Sequence, residues 1–158
     1  MRKIARGFTL MELLIVLVII VILVTIALPG YGAYIQRVNR GHAKAALLKA
    51  AQWMERVATV QGHYPHTLAT APGLAAVEGN RYTVCLIGAT DAPTGCPQAN
   101  ATANPRRPTV SDEEFALAAF RNNPGANAKD LCGDFVINNT GQRGMIGSAL
   151  SVQDCWGR

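Results

Sequence analysis

A chain of 158 residues holds one compact domain plus a terminal extension. Hydrophobic residues reach 49%, with the first thirty positions contributing heavily, and the formal charge of +5 leans on Arg2, Lys3 and Arg6. Without those three, 12 basic side chains face 10 acidic ones, so overall basicity does not by itself make a nucleic-acid-binding protein. No Gly-rich phosphate loop, Walker motif or nucleophile elbow occurs, and Asp112, Glu113 and Glu114 are consecutive, a poor arrangement for paired acid–base catalysis. The composition argues against an enzyme and predicts no cofactor.

The basic opening stretch ends at Gly7, a small residue that suits cleavage. From Phe8 to Leu28 the chain is almost wholly apolar, and those 21 residues make a helix of ~31 Å, enough to cross a bilayer once. Glu12 interrupts that run. A carboxylate inside a membrane helix costs about 2.5–3.5 kcal/mol on insertion scales, so it calls for a partner. Cutting after Gly7 supplies one, the new Phe8 amine, one helical turn away or on a neighbouring subunit. A secretory signal peptide fits poorly, because the apolar run passes Thr25 to Leu28 and no Ala-x-Ala site follows. A plain membrane anchor leaves Glu12 unexplained.

Pro29, Gly30 and Gly32 predict a kinked or loosened turn. From about Ala33 to Gln61 an amphipathic pattern resumes, with Ala43, Ala46, Leu47, Ala50, Met54, Val57 and Ala58 on one stripe. Gly62 is placed to end the helix. A loop follows to Asn80. Strands are predicted over 81–87, 114–121 (where apolar and other residues alternate acceptably) and 132–138, with a turn at 139–144 and a weaker strand from Met145. The Pro-rich stretch 91–108 reads as a loop. Ser111 to Glu114 fits either a capping box or a short acidic turn. One long helix followed by a run of strands predicts an α+β fold with an antiparallel sheet. The three histidines, His42, His63 and His66, read as surface residues.

The run Gly7-Phe8-Thr9-Leu10-Met11-Glu12-Leu13-Leu14-Ile15-Val16 resembles the class III signal of type IV pilins. Cys132-Gly133, Asn139-Thr140-Gly141 and Asp154-Cys155-Trp156 resemble the closing segment of PilE-type pilins. The resemblance implies a cleaved leader (1–7), a transmembrane and filament-core helix (8–28), an amphipathic second half of that helix (29–62) packed on a small antiparallel sheet, and a globular head (63–158). It implies cleavage after Gly7, N-methylation of Phe8, and a role for Glu12 in assembly. The implied partners are other pilin subunits, the prepilin peptidase/methyltransferase and an inner-membrane assembly platform. The protein would be stored in the bacterial inner membrane and then assembled into an extracellular pilus for motility, adhesion or DNA uptake.

Cys85, Cys96, Cys132 and Cys155 contain no C-x-x-C pair, which disfavours zinc and leaves metal sites unexpected. An exported head sits in an oxidising compartment, where four cysteines permit three disulfide connectivities. The resemblance implies that Cys132 and Cys155 bound a C-terminal D-region; Cys85–Cys96 would then close the Pro-rich loop. That additional bridge, a departure from the common pattern, points to a specialised minor subunit or a competence pilin. Two alternatives have their own signals. A type II secretion pseudopilin is disfavoured by the D-region cysteines and the lack of an acidic calcium-loop cluster. A DNA-binding competence pilin would draw on Arg106, Arg107, Arg121, Lys129 and Arg143, although interleaved acids allow these cations to serve solubility alone.

Overall fold

The computed structural model describes residues 8–68, 71, 73–88, 95–96, 111–122 and 127–157, without the side chains of 27–30. The chain divides into two units, Met1–Ile35 and Gln36–Arg158. Helix α1 (Leu10–Gln61) contributes to both.

In the first unit, Thr9 starts the helix: the Glu12 backbone N–H donates to the Thr9 hydroxyl at 3.2 Å and the Leu13 N–H to the Thr9 carbonyl at 3.2 Å. A threonine ahead of an apolar run satisfies donors that the first turn otherwise leaves orphaned. Every side chain from Phe8 to Ile26 is exposed. Among the described residues no single helix is long and apolar enough to cross a membrane; Leu10–Ile26 and Tyr31–Gln61 meet that test only as a pair. They flank Pro29 and Gly30, where the sequence predicts a loosened turn, and the helical assignment continues through both.

In the second unit, α1 buries Ala43, Leu47, Ala50 and Met54 completely. The three- and four-residue spacing puts them on one face, and the alanines let the helix approach a sheet closely. Gly62 ends the helix at φ +79°, its N–H bonded to the Ala58 carbonyl at 2.8 Å. The sheet is an antiparallel meander of β1 (Tyr82–Ile87), β2 (Ala116–Arg121), β3 (Asp134–Asn138) and β4 (Arg143–Ile146). Its register sets Val84 opposite Ala119, Leu117 opposite Ile137, and Phe135 opposite Met145.

The helix-facing side presents Tyr82, Val84, Leu86, Leu117, Ala119, Phe135 and Ile137 to the α1 stripe, with Phe115 beside them. The opposite side carries a second apolar cluster of Ile87, Ala116, Ala118 and Phe120, against which Cys85, Cys96, Val136 and Ile146 pack. Residues 115–120 are therefore buried throughout, where the sequence suggested alternation. A strand covered on both faces reads as a continuous apolar run.

Disulfides join Cys85 to Cys96 and Cys132 to Cys155, each with Cα atoms 5.6 Å apart. The second is buried. The chain closes in a short helix that the sequence reading lacked, α2 (Val152–Trp156), capped by Ser151, whose hydroxyl accepts the Asp154 N–H at 3.1 Å. It seats Trp156 edge-on against Phe135 at 5.5 Å, and Phe135 packs edge-on against Tyr82 at 6.1 Å.

Candidate functional site

Two regions carry the functional candidates. At the N-terminus, Gly7 lies outside the described residues, while Phe8 is exposed and Glu12 sits in the first turn of α1, also exposed. A carboxylate there is favoured by the helix dipole, whose positive end it faces.

The second region is the end of the head around β2–β3 and the C-terminus. Arg106 and Arg107 lie outside the described residues. Arg121 is engaged in the fold: its Nε donates to Asp134 Oδ1 at 2.9 Å and one terminal nitrogen to the Asp130 carbonyl at 2.9 Å. With its side chain 21% exposed, it holds the β2–β3 connection through these bonds. Lys129 and Arg143 are exposed. The Arg143 guanidinium lies over the Trp156 ring, 5.3 Å from its centroid, a cation–π geometry.

A buried polar network fixes the β2–β3 connection to α1. Arg40 donates twice to Asp130, through Nε at 2.8 Å and a terminal nitrogen at 2.5 Å, and the Asp130 side chain is wholly buried. The Cys132 N–H donates to the same carboxylate at 3.0 Å, and Asn39 donates to Asn127 at 3.0 Å. The bond to Asp130 raises the Arg40 pKa above its ordinary value, against the opposing effect of burial. Lys129 thus stands on a segment pinned on both sides, at Asn127 and at Asp130.

Sequence reasoning passed over Lys44. It flanks the buried stripe at Ala43 and reaches the C-terminal turn, where Nζ donates to the Cys155 carbonyl at 3.2 Å. Its pKa is lowered, first by burial, then by the charges of Arg40 and Arg143. Only the helical position of Lys44 next to the stripe hinted at this, since Arg143 is about a hundred residues away in sequence.

The remaining polar features look structural. His66 pairs with Asp112 at 2.9 Å and His42 with Glu78 at 3.8 Å, both at the surface. The Ser111 hydroxyl accepts the Glu114 N–H at 2.9 Å in a turn leading into β2, the second of the two expected readings. An open groove of ≈ 430 Å³ lies between α1 and the segment before β1, lined by His42, Ala46, Lys49, Leu74 and Val77. Among the described residues no three His, Cys, Asp or Glu side chains are grouped to hold a metal ion.

The helix with its apolar, glutamate-bearing N-terminal half and the small disulfide-closed sheet define a pilin. A model of the prokaryotic N-terminal methylation motif matches residues 2–28. A second family model, described as the type IV minor pilin ComP, DNA uptake sequence receptor, matches residues 29–136. That is more than half of the chain, and the chain belongs to this family of type IV minor pilins. It is a pilus subunit whose partners include other pilin subunits. No curated protein sequence matches it. Among solved structures, a type IV pilin from Shewanella oneidensis is 21% identical, with 73% of this chain and 98% of that one covered and a TM-score of 0.44. The Neisseria meningitidis non-core minor pilin PilV is 22% identical, with 75% and 94% covered and a TM-score of 0.45.

Proposed function

We propose that this minor pilin is a DNA receptor displayed on a type IV pilus, and that it is not an enzyme. The observation that carries the reading is the match of residues 29–136 to a family described as a DNA uptake sequence receptor. Exposed Lys129 and Arg143 are its contacts among the described residues, with Arg106 and Arg107 as further ones. Cations on a rigid head neutralise phosphates and release counterions, so affinity falls steeply with salt.

The route to the pilus follows from the methylation motif. A prepilin peptidase cuts after Gly7 and methylates Phe8. The 8–28 segment then holds the protein in the inner membrane, with 29–62 and the 63–158 head outside it, until an assembly platform extracts it. Apolar helices leave lipid only for an equally apolar bundle, and Glu12 sets their register by meeting an N-terminal amine. The mass of the mature N-terminal peptide tests processing: a methylated Phe8 end is expected, and an intact Met1 end refutes it.

The test of the receptor reading is binding of the mature chain in detergent to mixed-sequence duplex DNA, followed by selection from a random pool. A receptor binds with a steep salt dependence and enriches one short sequence. Absence of binding at about 50 mM salt, where such contacts are strongest, overturns the reading.

A further inference from the structure

The β3–β4 hairpin ends in a tip without a carboxylate, Asn138-Asn139-Thr140-Gly141-Gln142-Arg143. Its turn is braced from within. The Asn138 side-chain oxygen accepts the Gln142 N–H and the Thr140 hydroxyl, each at 2.8 Å. Gly141 turns the chain at φ +76° and donates its N–H to the Asn138 carbonyl at 3.0 Å. The Asn139 side chain donates to the Glu113 carbonyl at 3.3 Å. Gln142 and Arg143 stand exposed on this braced turn. Among the described residues, neither the Gln142 amide nitrogen nor any guanidinium nitrogen of Arg143 has a hydrogen-bond acceptor. The guanidinium is nevertheless held over Trp156, 5.3 Å from the ring centroid, and that indole is fixed by its Nε1–H to the Gly144 carbonyl at 3.1 Å.

We propose that the hairpin tip reads base edges in the DNA major groove, with Arg143 on a guanine and Gln142 on a nearby adenine. This rests on the receptor reading and sharpens it. A receptor for a DNA sequence needs more than phosphate contacts, which fix position and carry no sequence information. An arginine fork matches the O6 and N7 acceptors of guanine, and a glutamine amide matches N6 and N7 of adenine. A two-stranded ribbon also fits the major groove, which is about 12 Å wide. Contact with the indole pre-orients the planar fork, so less side-chain freedom is lost on binding. Exposed Lys129 supplies charge on a flexible stem, without that geometry. The exposed carboxylates Glu113 and Glu114, next to the tip through the Asn139 bond, repel every duplex alike and so carry no preference.

The experiment is selection from a random duplex pool by the full-length mature chain in detergent, followed by titration of the selected duplex and a scrambled one. R143A is expected to lose the preference for guanine at one position. Its affinity for the selected duplex falls about 5- to 150-fold, with a much smaller loss on the scrambled one. Q142A relaxes an adenine position in the same way. K129Q behaves differently: it weakens both duplexes alike, lowers the magnitude of the log–log salt slope by about 0.9 and leaves the selected sequence unchanged. Thermal melts of every variant separate lost binding from lost folding. If folded R143A and Q142A select the wild-type sequence, base reading by the tip is overturned while the receptor reading stands. An equal loss on both duplexes in R143A also overturns it, by making Arg143 a phosphate contact. So does unchanged selection combined with lost entry into pili, which assigns the tip to another pilin. If the wild type binds no DNA or selects no sequence, the receptor reading itself fails.

Discussion

Asp130 shows how much of this head depends on single side chains. Its removal leaves Arg40 without a counter-charge and the Cys132 N–H without an acceptor, so Asp130→Ala costs about 3–5 kcal/mol in urea unfolding. R40M/D130L, which removes both charges, recovers much of that loss. Gly133 is equally exacting. At φ +68° it occupies a left-handed conformation, and a Cβ there meets the Ile146 carbonyl oxygen and, at 2.8 Å, the Gly147 carbonyl. Gly133→Ala therefore destabilises by about 2 kcal/mol or more, read as a lower midpoint.

Tyr82 makes the head sensitive to high pH. Burial, reinforced by Asp130, pushes its phenol up to about 12, while Asn127, Arg121 and Arg40 oppose the rise. The unfolded phenol ionises near 10, so stability is fully present below about pH 10. Between there and about pH 12 the unfolded state gains charge that the folded state resists, and about 2–3 kcal/mol is lost. Tyr82→Phe flattens that decline. At neutral pH it changes stability by less than about 1 kcal/mol, because the hydroxyl has no hydrogen-bond partner among the described residues. None of this was legible in the sequence: Arg40, Asp130 and Tyr82 are distant in the chain and meet only through the fold.

At the scale of elements, periodicity carried most of the information. Three strands lie within the predicted ranges, and the fourth begins two residues before the predicted Met145. Gly62 ends α1 because its backbone needs a positive φ. Two features escaped. The run through β2 read as alternating, with one face covered, whereas apolar clusters cover both. Helix α2 is too short for a periodic signal, although Ser151 and Asp154 mark its start. The two disulfides close separations of 11 and 23 residues, for which chain entropy assigns about 2.8 and about 3.4 kcal/mol. Cys132→Ala/Cys155→Ala should lose more than the entropic share, since it also empties a buried site. Differential scanning calorimetry of the two double variants checks the order: the buried pair is expected to cost more.

At the scale of the whole molecule, the N-terminal signal was the most legible part. A lone carboxylate in an apolar run is costly enough that few purposes justify it. In Glu12→Ala, the protein is expected to stay membrane-bound while its amount in sheared pili falls, measured by immunoblot; normal incorporation contradicts the assembly role. The surroundings of the head's cations were less visible. Charge counts pointed at the head, but only the fold shows that the Arg121 guanidinium is tied to Asp134 and to the Asp130 carbonyl.

The apolar cluster on the far side of the sheet gives the Cys85–Cys96 bond a task beyond rigidity. It fastens Cys96 over Phe120 and the β2 alanines, a hydrocarbon surface that water would otherwise wet. Mild reductants should therefore make the protein sticky before they make it unfold, and hydrophobic dyes should light up while the secondary structure is still intact. An export compartment that failed to oxidise this pair would lose the subunit to clumping, with its architecture otherwise sound.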